Sequence, residues 1–159
     1  MRKWMTLTTG EMLPLGEIIL LLSREGFFLS DWIIDIFQKR ENIASTEDID
    51  LYRVTLSELG VQSAIELKKV YELFAEKEFE LLDPQLALYV RRAYVDQPTG
   101  EWLRIAVPLD SMIDSDGVPH LPKLGAGLKR FYIETYWSWP NAIFHPHNEF
   151  VVSRKGASS

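Results

Sequence analysis

The sequence predicts an α+β fold in which N-terminal helices pack on one face of a small C-terminal antiparallel sheet. Two observations carry this. Apolar residues recur at a 3.6-residue rhythm through the first half, then at a two-residue rhythm after Asp96-Gln97-Pro98-Thr99-Gly100, a turn by its residue types. At 159 residues with 47% hydrophobic and 25% charged side chains, the chain is also long and apolar enough to bury a core as a single domain, 1–159. Its helical half runs from about 11 to 95, its β half from about 96 to 154, and residues 155–159 form a polar tail.

Pro14 suits the first turn of a helix, because its missing N–H costs nothing there. Leu15, Ile18, Ile19 and Leu22 then repeat at helical spacing, and Gly26 is placed to close the helix. Ser30 is a good N-cap for a second helix with the stripe Trp32, Ile33, Ile36 and Phe37. The short Gly-Phe-Phe-Leu link predicts a helical hairpin. Glu41 to Asp50 reads as a loop. Leu51 to Leu56 is rich in β-formers and reads as a strand or an extended entry segment. Ser63 is expected to cap a third helix reaching about Glu78. Asp83 and Pro84 are expected to open a fourth, with Leu86, Ala87, Val90 and Tyr94 on its apolar face, a strand over Leu86–Tyr94 being the competing reading.

In the second half, Glu101 to Val107 predicts a strand stopped by Pro108, and Asp114 to Gly117 a turn. Leu128 to Trp137 carries the cleanest period of two. Phe131, Ile133, Thr135 and Trp137 fall on one face, with Arg130, Tyr132, Glu134 and Tyr136 on the other. Phe150 to Val152 makes a third strand.

Several function classes are disfavoured. With no cysteine there is no disulfide and no thiolate chemistry, which fits a reducing, cytoplasmic setting. A net charge of −6 argues against nucleic acid as a partner. The apolar run Ile18 to Leu22 is far shorter than the ~20 residues of a membrane helix, so no membrane partner is expected. No glycine-rich phosphate loop and no G-x-S-x-G is present.

Asp110, Asp114 and Asp116 crowd one turn, but a calcium-loop alignment puts Met112 and Lys123 at ligand positions. His145 and His147 lack the further ligands a zinc site needs. Neither a metal nor a cofactor is therefore expected. Aromatic residues crowd the β half: Trp102, Tyr132, Tyr136, Trp137, Trp139, Phe144 and Phe150. Beyond what one sheet face needs, they suggest a ligand or partner surface of Trp102, Tyr132, Tyr136 and Trp139 with the charges Glu101 and Arg104.

The segments Glu58-Leu59-Gly60, Tyr94-x-Asp96-Gln97-Pro98-x-Gly100-Glu101-Trp102-Leu103-Arg104-Ile105-Ala106 and Asp114-Ser115-Asp116-Gly117-x-Pro119 resemble a set of small bacterial proteins of no assigned activity, over about residues 51–154. The resemblance implies a small free-standing bacterial protein and carries no catalytic residue across.

The leading expectation is a non-catalytic binding or protein-interaction module using the aromatic β half, its partner a protein or a small molecule. Two alternatives stand beside it. One is a small hydrolase or lyase using carboxylates such as Glu101 and Asp114 with His145 or His147. The other is an oligomeric structural protein whose exposed aromatics form a homo-oligomer interface.

Overall fold

A computed structural model describes residues 2–8, 12–41 and 47–154. Four helices and ten strands lie along these residues: β1 (Met5–Leu7), α1 (Leu15–Arg24), β2 (Phe28–Leu29), α2 (Asp31–Gln38), β3 (Ile49–Thr55), β4 (Ile65–Glu66), α3 (Leu67–Glu76), β5 (Phe79–Glu80), α4 (Gln85–Ala93), β6 (Trp102–Ile105), β7 (His120–Gly127), β8 (Arg130–Trp137), β9 (Ile143–Phe144) and β10 (Glu149–Arg154). The class is α+β.

Helix ends follow local chemistry. The Pro14 carbonyl accepts the Glu17 and Ile18 N–H groups, and Gly26 closes α1 at φ +89°. The Phe27 and Gly26 N–H groups return to the carbonyls of Leu22 and Ser23, a Schellman ending that glycine permits because its left-handed backbone meets no Cβ. Ser30 Oγ accepts the Ile33 N–H at 3.4 Å, and Asp83 Oδ1 accepts the Gln85 N–H at 2.9 Å. The helix reading of the segment after Pro84 therefore holds. Ser63 does not cap α3. Ile65 and Glu66 pair with Phe144 and Ile143, and the first α3 N–H groups, of Leu67 and Lys68, donate to the carbonyls of Ala142 and Pro140.

The main sheet is mixed, in the order β1-β3-β10-β6-β7-β8-β2, with β5 added at the end of β10. Most neighbours are antiparallel, but β10 runs parallel to β6 and β2 parallel to β8. This corrects the expected boundary between halves. Strands β2, β3 and β5 come from the half read as helical, where Leu51–Leu56 reads as a strand or extended segment, and β1 precedes it. The link read as a bare helical hairpin connection holds β2, and the loop read over 41–50 ends in strand at Ile49. Of that loop, residues 42–46 lie outside the described residues, as does the polar tail.

Helices pack on both faces, not one. On one face α2 sets Trp32 against His120 (ring centroids 5.3 Å), and α4 sets the Arg91 guanidinium over Phe131 (4.9 Å). On the other, α3 brings Phe74 edge-on to Phe150 at 5.5 Å. A helix with one apolar stripe needs any free apolar face, and Phe144 and Phe150 supply a second one. The buried core runs through both halves, including Ile18, Ile33, Val54, Phe74, Leu103 and Ile133.

Candidate functional site

Sheet register sorts the residues singled out from sequence. Trp102 faces Gly125, and Gly125 faces Tyr132. One step of two along the strands, Arg104 faces Lys123, which faces Glu134, and Tyr136 faces Leu121. Side chains at this spacing share a face. Trp102, Arg104, Tyr132 and Tyr136 are therefore gathered on one sheet face. Glu101, one residue out of step, points to the other, where it meets Arg53 (3.1 Å) and accepts from the Tyr94 hydroxyl (2.8 Å). Trp139 lies beyond β8 in a turn closed by the Ala142 N–H on its carbonyl (2.9 Å).

The face is built on two glycines. A Cβ added at Gly125 would lie 2.4 Å from Cζ3 of Trp102, and one at Gly127 would lie 3.0 Å from Cε2 of Tyr132. The indole and the phenol thus rest on bare strand backbone; at Gly125 the approach leaves no room for a Cβ, and at Gly127 the phenol would have to give by a few tenths of an ångström. Tyr132 meets Phe28 at 5.5 Å in a T-shaped contact. Cations flank the rings: Lys123 Nζ lies 4.4 Å from the Trp102 ring centroid and Arg130 lies 5.8 Å from that of Phe28. Trp102 stays 38% exposed and Phe28 39%. Sequence reading passed over β7, Phe28 and Lys123. The signal available was the Gly-x-Gly spacing of 125 and 127, which marks close packing over a strand.

From the opposite side the same rung is held by buried Arg91. Its Nη1 donates to the carbonyls of Gly125 (3.0 Å) and Tyr132 (3.1 Å) and to Gln97 Oε1 (2.7 Å), and Nη2 donates to the Tyr94 carbonyl (2.5 Å). Burial lowers its pKa to about 10. Gln97 in turn donates to the carbonyls of Leu124 and Glu101. The Tyr94–Trp102 motif is therefore architectural: it fastens α4 to the strands that carry the ring platform.

Arg104 shares with Arg91 a burial-lowered pKa, a buried Nε without a hydrogen-bond partner and the absence of an ion pair among the described residues, but it lacks the four oxygen acceptors that the Arg91 Nη groups reach. Its guanidinium lies 5.7 Å from the ring centroids of both Tyr136 and Phe144. Such contacts hold the cation over the rings without supplying the hydrogen bond that its buried Nε lacks. Lys123 beside it also forms no ion pair among the described residues. Burial lowers its pKa, with the Glu134 charge opposing and the Arg104 charge adding.

Asp114 meets a different histidine from those expected. Its Oδ2 lies 2.8 Å from His120 Nε2, and His120 Nδ1 lies 2.9 Å from Thr135 Oγ1, with both acid and imidazole buried. Asp114 Oδ1 accepts the Asp116 and Val118 N–H groups, so the acid closes its own turn. His145 and His147 stack on each other at 5.9 Å in an exposed turn. No three histidine, aspartate or glutamate groups converge as metal ligands among the described residues.

A cavity of about 630 Å³ lies on the helix side between Leu7, Met12, Phe27, Leu86, Tyr89 and Phe131. Several polar groups in its walls are engaged internally: Arg92 with Glu25, Tyr89 with the Leu13 backbone, Thr6 with Asp50. No described helix is long and apolar enough to cross a membrane. Comparison with known protein families, curated sequences and solved structures finds no match for the chain.

Proposed function

We propose that this chain is a small non-catalytic binding module that captures a planar group of a protein or small-molecule partner on the Trp102–Tyr132–Phe28 platform. The observation that carries the reading is the pair of strand glycines under Trp102 and Tyr132, which lets both rings lie close over the strand on one sheet face while Trp102 stays 38% exposed. Rings placed only for the core would be covered, as Phe74, Phe144 and Phe150 are. A reducing, cytoplasmic setting and membership of a group of small bacterial proteins belong to the same proposal, on the cysteine-free composition and the Asp96–Trp102 motif.

Ligand-observed NMR with indole, benzamide and adenosine tests it. Saturation transfer is expected from wild type and from Trp139→Ala, and is expected to vanish with Trp102→Ala while thermal unfolding stays cooperative. Probes that ignore the Trp102 substitution would sink the reading. The solution mass at two concentrations separates the structural alternative: an oligomer that Trp102→Ala dissolves would make the platform a subunit interface.

A further inference from the structure

Resting on that platform reading, we infer that Arg104 and Lys123 form an oxyanion subsite beside Trp102, so that the ligand is a small planar aromatic molecule bearing a phosphate or a carboxylate. Three observations converge. Arg104 is half-buried, cradled by Tyr136 and Phe144, and meets no carboxylate among the described residues. Its register neighbour is a second cation, Lys123, whose ammonium lies over the Trp102 ring. The acid on this row is Glu134, opposite Lys123, and no ion pair forms between them.

A half-buried guanidinium needs oxygen acceptors, as Arg91 finds in carbonyls and Gln97; Arg104 has none among the described residues, and its fork suits phosphate or carboxylate. Two like charges side by side strengthen the demand. Trp102 and Arg104 are two residues apart on one strand and on the same face, their Cα atoms on the order of 7 Å from each other. That separation suits a small molecule such as a nucleoside monophosphate. Fields beyond about 8 Å are screened at physiological salt, so a compact anion meets the local cations rather than the net −6 of the chain. A polyanionic strand would run on into that acidic surround.

Calorimetric titration of the full chain with adenosine 5′-monophosphate, adenosine, indole-3-acetate and a short single-stranded DNA tests the inference. The expected result is adenosine 5′-monophosphate binding about 10-fold or more tighter than adenosine. Arg104→Met is expected to erase that preference without lowering the thermal midpoint, since it removes an unmatched cation; Lys123→Met is expected to reduce it. Trp102→Ala is expected to weaken both nucleoside probes alike. Indole-3-acetate tells carboxylate from phosphate. Equal binding of adenosine and its monophosphate, both lost with Trp102→Ala, would overturn the oxyanion subsite and leave the platform standing. Binding of neither nucleoside nor indole-3-acetate would overturn both. Preference for the DNA strand would overturn the small-molecule assignment.

Discussion

The indole of Trp102 lies against the backbone of Gly125, so close that a Cβ there would come within 2.4 Å of its Cζ3. Gly125→Ala must therefore move the ring or the strand. The expected loss is about 1–3 kcal/mol in urea unfolding, the usual range for overpacking. Trp102→Ala in the same chain should recover most of it, since the clash needs both partners. A Gly125→Ala protein as stable as wild type would contradict the geometry.

Arg91 holds four oxygen acceptors from one buried guanidinium. Lysine keeps the charge and loses the fork. Arg91→Lys should cost about 2–4 kcal/mol, because buried carbonyls are left without donors. Denaturant midpoints measure this. The substitution should also weaken probe binding at Trp102, whose rung Arg91 grips.

Asp114 is held below the usual carboxylate range chiefly by its hydrogen bond to His120, with burial opposing and the Val118 and Asp116 N–H groups adding. A lowered folded-state pKa means the acid stabilises the fold above its unfolded value, about 3.9, and that this contribution is lost as pH falls through the folded value. Urea stability measured from pH 6 to pH 2 should therefore fall more steeply in wild type than in Asp114→Asn. Parallel curves would rule this coupling out.

The phenylalanines should divide by role. Phe150 packs on Phe74 and Phe144 and is fully buried, so Phe150→Ala should cost about 3–5 kcal/mol. Phe28 is 39% exposed at the platform edge, so Phe28→Ala should cost about 1 kcal/mol or less while still reducing binding. Calorimetric unfolding distinguishes the two.

Part of the candidate site was legible before any fold was known. The aromatic excess of the β half pointed to Trp102, Tyr132 and Tyr136, and all three share a face with Arg104. Glu101 was drawn in by its neighbours in sequence, yet strand alternation turns it away toward Arg53. Asp114 was read as a turn residue, which it is, but its partner His120 comes from a strand whose Pro122, Gly125, Ala126 and Gly127 carry little β-propensity.

Sequence alone determined what local periodicity encodes: the stripes of α1, α2 and α4, the Gly26 ending, and the alternation of Arg130 to Trp137. Tertiary structure decided the rest, because sheet neighbours are chosen by non-local pairing. Strand β10 sits between β3 and β6, so that Phe150 pairs at once with Val54 and Arg104, residues far from it in the chain. Strand β7 forms because Trp102 and Tyr132 fill the space its glycines leave, and α3 takes the second face because Phe144 and Phe150 present apolar surface there. No window along the chain contains both sides of those contacts.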